Sequence, residues 1–249
     1  MFDLEDTVVP DRKPAARETV REALADVVPA DPEICVRVNP VDEGAPEDIA
    51  VALAGPAPDS VMLPKVTSAA DVDRLAALLP DAGVDCPVLA LAESAAGILA
   101  APAIAAHEAV MALIFGAADL AGDIGATRTT DGEGVADARQ RVVLAARAAG
   151  VTPIGTHYPD YTDDAGLRAE TERAVQLGYD GKLAIHPAQA TVINEVFTPS
   201  DERVAWARRI LAAREASDTG VLVVDGEMVD APQIRQAKRV LARVRAGED

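Results

Sequence analysis

The 249-residue sequence is short of cysteine, of positive charge and of long apolar runs, and each shortage excludes a class of protein. It holds two cysteines, Cys35 and Cys86, whose apolar neighbours favour buried free thiols over a disulfide or a metal pair. Acidic residues outnumber basic ones by 41 to 23, which leaves a net charge of -18. Because phosphate groups are held by Lys and Arg, this charge argues against nucleic acid and anionic membranes as partners.

No apolar stretch approaches the ~20 residues that a membrane-spanning helix needs, and the acidic start Phe2–Asp6 does not resemble a secretion signal. The sequence therefore predicts a cytoplasmic protein without a membrane segment. Hydrophobic residues make up 49% of the chain, which is enough to fill a core. A length of 249 residues suits a single α/β barrel, a fold that usually takes about 200–250 residues.

Short β-branched runs alternate with alanine-rich stretches, a pattern typical of βα units around a parallel sheet. The seven predicted strands are Met1–Glu5, Ile34–Val38, Ser60–Val66, Pro87–Ala92, Ala112–Gly116, Thr152–Thr156 and Lys182–Ile185. The predicted helices lie at about Lys13–Asp26, Glu47–Leu53, Ser68–Leu79, Ala100–Ala106, Ala136–Ala149, Asp163–Leu177 and Asp201–Ala216. Several of these helices follow a Ser, Thr or Asp that can act as N-cap.

Polar side chains stand at the end of each predicted strand. They are Glu5 and Asp6, Arg37 and Asn39, Lys65, Glu93, Asp119, His157 and His186. In a (β/α)₈ barrel, the carboxyl ends of the strands and the loops that follow them form the active site. A single such residue could simply mark where a buried strand reaches solvent. Together, these acids, an arginine, a lysine and two histidines predict one shared pocket.

Glu93 and Asp119 are the candidate metal ligands. Both follow strands and have Gly and Ala as neighbours, which leaves room for a hydrated ion. Mg²⁺ is commonly held by one or two carboxylates, with water and substrate oxygens completing its shell. Zinc is disfavoured because no His-x-x-His or Cys-x-x-Cys spacing is present. The alternative is that both acids only cap helices.

Three basic residues at strand ends each have two interpretations. Arg37, within a β-branched run, needs an anionic partner, either an internal acid such as Glu5 or Asp6, which we slightly favour, or a substrate anion. Lys65 raises the possibility of a Schiff-base aldolase. The carboxylate pair argues against that chemistry, because a metal and an imine are alternative ways to stabilise a carbanion. His186 is more often a structural strand-end histidine than a base.

The character of the sequence changes near its C-terminus. The segment Gly220–Val229 reads as a hairpin that turns at Asp225–Gly226, and Asp230 then starts an arginine-rich helix, where it serves at least as an N-cap. We therefore divide the chain into a barrel, residues 1–216, and a C-terminal appendage, residues 217–249.

Eight motifs in order along nearly the whole chain resemble the citrate lyase beta-subunit-like family of the HpcH/HpaI aldolase superfamily. They are Asp3–Asp6, Val36–Asn39, Met62–Lys65, Ala92–Gly97, Phe115–Leu120, Gly181–Gln189, Val196–Ser200 and Gly226–Asp230. The resemblance implies a magnesium-dependent TIM barrel that cleaves or forms a carbon–carbon bond in a hydroxyacyl-CoA thioester. Malyl-CoA, methylmalyl-CoA and citramalyl-CoA are the implied substrates, and a citrate lyase beta subunit acting on citryl-acyl carrier protein is the alternative.

Carried over motif by motif, the resemblance assigns Glu93 and Asp119 as Mg²⁺ ligands and Arg37 as a catalytic residue that binds the substrate beside the metal. Mg²⁺ would chelate a small 2-oxo acid and polarise its carbonyl group. Arg37 would stabilise the oxyanion of the acyl-CoA enolate. Glu5 and Asp6 would line the substrate pocket, and Glu93 would border it as well.

The resemblance leaves the proton-transfer group open between Asp6 and Asp230. In related lyases the residue equivalent to Asp230 lies on a C-terminal lid that closes over the site of a neighbouring subunit, which predicts a homotrimer or a hexamer. Lys13, Lys65 and Lys182 are candidates for binding the phosphates of CoA.

Relatives of this family usually begin with a strand and a helix that precede the Asp3–Asp6 motif, whereas this sequence begins at that motif. We therefore expect a barrel-type fold without its first strand and helix, with a C-terminal lid. An inactive truncated barrel that serves as a binding or structural subunit stays an alternative.

Overall fold

The computed structural model describes residues 1–26, 33–127, 129, 132–217 and 222–246. The chain divides into two compact units. The first comprises residues 1–159 and 176–183, and the second comprises residues 160–175 and 184–249.

The first unit contains a curled, half-barrel parallel sheet whose strands follow one another in chain order. The strands are β1 Phe2–Asp3, β2 Cys35–Arg37, β3 Ser60–Leu63, β4 Val88–Ala92, β5 Val110–Phe115, β6 Thr152–Gly155 and β7 Gly181–Lys182. Each strand pairs in parallel with the next, so that β1 and β7 form the two edges. The predicted barrel-type α/β fold is confirmed.

The helices cover most of the segments between strands. They are α1 Lys13–Asp26, α2 Ala45–Ala52, α3 Ala69–Leu78, α4 Ala95–Ala105, α5 Ala117–Asp123, α6 Ala136–Ala149, α7 Asp164–Leu177, α8 Pro187–Phe197, α9 Asp201–Glu215 and α10 Ala231–Ala246. The seven helices predicted up to residue 216 are present, and the helix predicted after the hairpin is present as α10. Two more, α5 and α8, are not expected from the sequence pattern.

The two edge strands are shorter than the sequence predicts. β1 pairs with β2 through Phe2 and Asp3, and the N–H of Leu4 donates to the carbonyl oxygen of Arg37 at 2.9 Å. The N–H of Glu5 then turns back to Oδ1 of Asp3 at 3.0 Å. The strand expected at Lys182–Ile185 instead covers Gly181–Lys182, since its neighbour β6 ends at Gly155. Beyond that point the chain has no partner strand to pair with among the described residues.

The start of helix α4 packs tightly against the loop that follows β3. Ser94 caps it by accepting a hydrogen bond from the N–H of Gly97 at 3.1 Å. A Cβ atom at Gly97 would lie 2.3 Å from the carbonyl oxygen of Val66, so only glycine allows this approach.

The core of the first unit lies between the sheet and its helices. All four residues of β3 are buried, as are Leu113, Ile114 and Phe115 at the end of β5. Tyr179 is fully buried, and its hydroxyl donates a 2.7 Å hydrogen bond to the carbonyl oxygen of Arg139. This bond satisfies a polar group that would otherwise be costly to bury.

The second unit contains an antiparallel hairpin of β8 Leu222–Val224 and β9 Glu227–Val229. The turn residues Asp225 and Gly226 both have positive φ, 55° and 84°, as a two-residue hairpin turn requires, and the predicted hairpin is confirmed. One face of the hairpin packs on α9 and α10. The buried cluster there comprises Ala207, Ile210, Leu222, Val229 and Ala237.

Within the described residues, no helix combines the length and apolarity needed to cross a bilayer. Cys35 and Cys86 are free thiols, and both are half-buried.

Candidate active site

Arg37 and Asp3 form the first half of the site at the carboxyl ends of β1 and β2. The parallel register pairs these two residues across the sheet. Nε and Nη2 of Arg37 donate to the two carboxylate oxygens of Asp3, at 2.7 and 2.5 Å. Nη1 lies 3.0 Å from Oε2 of Glu5. Both acids are internal partners, as the ion-pair interpretation of Arg37 expects, although that interpretation names Glu5 and Asp6 and omits Asp3.

Glu5 is a buried carboxylate between two cations. Its side chain is 2% exposed, and Oε1 lies 2.5 Å from Nζ of Lys65 while Oε2 faces Arg37. Neither contact has the angular geometry of a hydrogen bond, so the interaction is one of charge. Asp6, which is exposed, adds a longer contact of 3.3 Å to Nζ of Lys65.

These ion pairs shift the pKa values of Lys65 and Asp3. Burial acts to lower the pKa of Lys65, but the carboxylates of Glu5 and Asp6 close to its ammonium group outweigh it and raise that pKa above its ordinary value. Burial likewise acts to raise the pKa of Asp3, yet hydrogen bonds from Arg37 and its neighbours lower it overall. A Schiff-base lysine needs a lowered pKa. Lys65 is therefore unsuited to imine chemistry.

The backbone of Lys65 also contacts Glu93, which belongs to the second half of the site. It adopts a left-handed conformation with φ of 53°, which is unusual for a residue other than glycine. In that conformation its N–H donates a 2.9 Å hydrogen bond to Oε1 of Glu93. One lysine thereby orients Glu93 with its backbone and neutralises Glu5 with its side chain.

Glu93 follows β4 directly and is 5% exposed. Its side chain lies against Gly116, the residue after β5, so closely that a Cβ atom there would come within 2.4 Å of Cβ and 2.8 Å of Oε2 of Glu93. Gly116 therefore opens the space that the carboxylate occupies.

Burial raises the pKa of Glu93 to about 8. The N–H of Lys65 opposes this rise, and the negative charges of Asp119 and Glu5 add to it. Asp119 lies in the first turn of α5, immediately after β5, and is exposed. The sheet thus brings Glu93 and Asp119 within electrostatic range of each other. A cation between them would offset both the cost of burying a negative charge and the repulsion between the two carboxylates.

The donor set fits magnesium. Two carboxylates supply hard oxygen ligands, and Gly116 leaves room for the carboxylate of Glu93. Among the described residues, no three His, Cys, Asp or Glu side chains come together as a complete metal cage. Mg²⁺ does not require one, because it usually keeps several waters or substrate oxygens in its shell.

The remaining residues proposed from the sequence occupy other positions. Lys13 donates to Oδ1 of Asn39, beyond the end of β2. Lys182 donates to the carbonyl oxygen of Thr156 at 2.6 Å. In the second unit, exposed His186 caps α8 and stacks on Tyr161, with ring centroids 4.9 Å apart.

Asp230 also belongs to the second unit and precedes α10. Its N–H donates to Oε1 of Gln233 at 3.2 Å, which supports the predicted start of the last helix at this residue.

A buried hydrogen-bond network around Asp48 is not predicted from the sequence. Asp48, on α2, is fully buried and accepts hydrogen bonds from Nε of Arg17 and from the backbone and side-chain nitrogens of Asn39, at 2.7, 2.6 and 2.6 Å. Asn39 donates in turn to the carbonyl oxygen of Leu4. The only sequence signal is an acid at an inward position of a short helix.

Comparison with known proteins places this geometry in a family. Residues 1–187 match the family model of the HpcH/HpaI aldolase/citrate lyase proteins, which is about three-quarters of the chain. The chain belongs to the HpcH/HpaI aldolase/citrate lyase family. The resemblance seen in the sequence motifs is thus confirmed.

Individual relatives in the HpcH/HpaI family are similar over nearly the whole chain. A (3S)-malyl-CoA thioesterase from Cereibacter sphaeroides is 39% identical over 249 residues, covering 99% of this chain and 86% of that protein. An L-malyl-CoA/beta-methylmalyl-CoA lyase from the same species is 38% identical and covers 96% of this chain and 85% of that protein.

A crystal structure of CitE from Mycobacterium tuberculosis, in complex with magnesium, acetoacetate and coenzyme A, is also similar. It has a TM-score of 0.80 and 37% identity, and the match covers 97% of this chain and 88% of that one. The chain is an enzyme of a lyase family, and the expectation of magnesium as cofactor is confirmed.

Proposed function

We propose that this enzyme cleaves or forms a carbon–carbon bond in a hydroxyacyl-CoA thioester of the malyl-CoA, methylmalyl-CoA or citramalyl-CoA type. The observation that carries the proposal is the pairing of a buried carboxylate, Glu93, with Asp119 beside the fixed guanidinium of Arg37. The names of the two Cereibacter relatives support a malyl-CoA-like substrate.

Glu93 and Asp119 would hold Mg²⁺ in this enzyme. When bound, the ion supplies a Lewis acid that chelates and polarises a 2-oxo acid such as glyoxylate or pyruvate. Glu93 can offer Oε2, because Oε1 already accepts from the N–H of Lys65. Glu93 would also border the substrate pocket.

Arg37 would bind the oxygen that becomes negative in the reaction. Asp3 takes two of its N–H groups and Glu5 faces Nη1, so the guanidinium is held rigidly and still has donors for a substrate oxygen. In cleavage, the substrate hydroxyl gives up its proton, the carbon–carbon bond breaks, and the acyl-CoA fragment leaves as an enolate. A fixed positive charge at that enolate oxygen lowers the barrier.

A carboxylate would accept the hydroxyl proton and later return one to the enolate carbon. Asp6 and Asp230 are the two candidates, and exposed Asp6, at the end of β1 beside Lys65, can exchange protons with solvent. Glu5 would line the pocket. Lys13 and Lys65 are the proposed contacts to the CoA moiety, because cations are needed to hold its phosphates in a protein with a net charge of -18.

Purified protein with Mg²⁺ and malyl-CoA tests the proposal. We expect equal amounts of acetyl-CoA and glyoxylate, and a loss of about 10²-fold or more in the variants Glu93→Ala and Asp119→Ala. Asp137→Ala, an exposed acid paired with Arg141 on α6, is the matched control. Undiminished turnover in Glu93→Ala would refute the metal assignment.

The products distinguish the lyase from a hydrolase. Thioester hydrolysis would release malate and free CoA instead of glyoxylate and acetyl-CoA. The (3S)-malyl-CoA thioesterase relative makes this the specific alternative to test. Mass spectrometry of both product pairs from one reaction gives the answer.

A citrate lyase beta subunit is the second candidate, favoured by the similarity to CitE. Such a subunit would act on a citryl group carried by an acyl carrier protein. Cleavage of citryl-acyl carrier protein with no turnover of malyl-CoA or citramalyl-CoA would favour it over the first proposal.

We further propose that the enzyme is a homotrimer or hexamer in which residues 217–249 act as a lid on a neighbouring subunit. Sedimentation should then show three or six copies. Mixing inactive Glu93→Ala subunits with inactive Asp230→Asn subunits should restore activity, because mixed assemblies contain some sites with both residues intact. A monomer at all concentrations would contradict the arrangement.

A further inference from the structure

Asp123 joins the two segments that carry Glu93 and Asp119. It is the last residue of α5, and its Oδ2 accepts a 2.7 Å hydrogen bond from the backbone N–H of Ala95, the first residue of α4. The helices belong to adjacent βα units, so the bond spans 28 positions of sequence.

The bond satisfies one of the free N–H groups at the start of α4. Ser94 accepts from Gly97 in the same turn, so Asp123 and Ser94 cap the helix together. A carboxylate is also favoured there by the helix dipole.

The position of this bond matters for the proposed metal ligands. Glu93 lies two residues before Ala95, and Asp119 lies four residues, or about one helical turn, before Asp123. On the strand side, β4 and β5 are hydrogen-bonded up to the pair Ala92 and Phe115. The pairing of β4 with β5 and the Asp123 bond therefore connect the two segments on both sides of Glu93 and Asp119.

We propose that Asp123 is a positioning residue, which fixes the separation of Glu93 and Asp119 and so sets the affinity for Mg²⁺. This inference rests on the proposed function, since it takes those two residues as the metal ligands. Asp123 acts through the backbone of Ala95 and does not itself bind the metal. Removing the bond frees the loop that carries Glu93 to move relative to α5.

The test compares Asp123→Ala and Asp123→Asn with the control Asp137→Ala. Binding of Mg²⁺ to each protein is measured by calorimetry, and kcat is measured at saturating Mg²⁺. We expect Asp123→Ala to weaken Mg²⁺ binding by about 10–100-fold, with kcat within about twofold of wild type once the metal is saturating. Asp123→Asn keeps an acceptor oxygen and should recover most of the affinity.

A purely structural cap would give a different pattern. Asp123→Ala would then lose stability in urea unfolding, while its affinity for Mg²⁺ would equal that of Asp137→Ala, and this result would overturn the inference. Glu93→Ala separates the two proposals. If that variant loses Mg²⁺ binding and Asp123→Ala does not, only the positioning role fails; if Glu93→Ala binds Mg²⁺ normally, the proposed metal site itself is wrong.

Discussion

The N–H of Lys65 donates to Oε1 of Glu93 at 2.9 Å, while the ammonium group of the same residue lies 2.5 Å from Oε1 of Glu5. Lys65 thus connects the part of the site that contains Arg37 and Glu5 with the part that contains Glu93. Its positive φ is the conformational cost of making both contacts.

Two substitutions of Lys65 separate the effect of backbone strain on stability from the effect of the lost positive charge. Lys65→Gly and Lys65→Ala both remove the ammonium group, but only glycine accepts a φ of 53° without penalty. We expect the glycine variant to be more stable than the alanine variant by about 1 kcal/mol, as measured by urea unfolding. Both should be less active than wild type, because buried Glu5 loses a cation. An alanine variant as stable as the glycine variant would show that the strain is absent.

Gly116→Ala should displace Glu93. The new Cβ would lie 2.4 Å from Cβ of Glu93, a distance that forces the carboxylate or the backbone to move. We expect Mg²⁺ binding to weaken at least tenfold, by about 1.4 kcal/mol or more. Gly122→Ala, on the helix that follows, is the control, because the position that its new methyl group would take has nothing within 4 Å. Equal Mg²⁺ affinity in the two variants, measured by calorimetry, would contradict the prediction.

Asp3 should make stability depend on pH in the acid range. Its pKa is below the ordinary value of 3.8, so the ion pair with Arg37 stabilises the fold above that value and is lost as pH falls through the lower pKa of the folded state. Asp3→Asn removes this titration and should cost about 2 kcal/mol at pH 7. The free energies of unfolding of the two proteins should converge as pH falls through the lowered pKa of Asp3. A difference that stays constant from about pH 7 to about pH 2 would rule out the linkage.

Asp48 should be essential for stability. Removing its carboxylate in Asp48→Ala leaves Arg17 and Asn39 without their buried acceptor, which we expect to cost about 3–5 kcal/mol. Glu47→Ala, one position earlier and exposed, should cost less than about 1 kcal/mol. Chemical unfolding of both variants measures this contrast, and similar losses would exclude a special role for the network.

Strands β3, β4 and β5 are predictable because each is a short apolar run followed by an alanine-rich helix. Helix α5 is hard to predict because it has only seven residues, begins directly after β5 and contains Gly122. Helix α8 escapes prediction because the sequence pattern around His186 resembles the end of a strand. Pro187 instead occupies the first turn of the helix, a position where its missing N–H costs nothing.

The site is predictable as a set of residue types but not as a set of partners. Strand ends identify Glu5, Arg37, Lys65 and Glu93 correctly as neighbours at one end of the sheet. The acid that forms the ion pair with Arg37 is determined by strand register, which pairs Asp3 with Arg37. A local sequence pattern does not reveal that register. The left-handed backbone of Lys65 depends in the same way on contacts across two strands.

The unequal length of the strands has a consequence for the order in which the protein opens. β4 and β5 pair over five residues in the interior of the sheet, whereas β1 pairs over two residues at its edge. Backbone amides of β4 and β5 should exchange with deuterium last, and those of Phe2–Asp3 early. Partial opening therefore separates Asp3 from Arg37 while the strands that precede Glu93 and Asp119 stay paired. Under the proposed function, such a local fluctuation would free Arg37 from Asp3 while the segments that carry the proposed metal ligands stay in place.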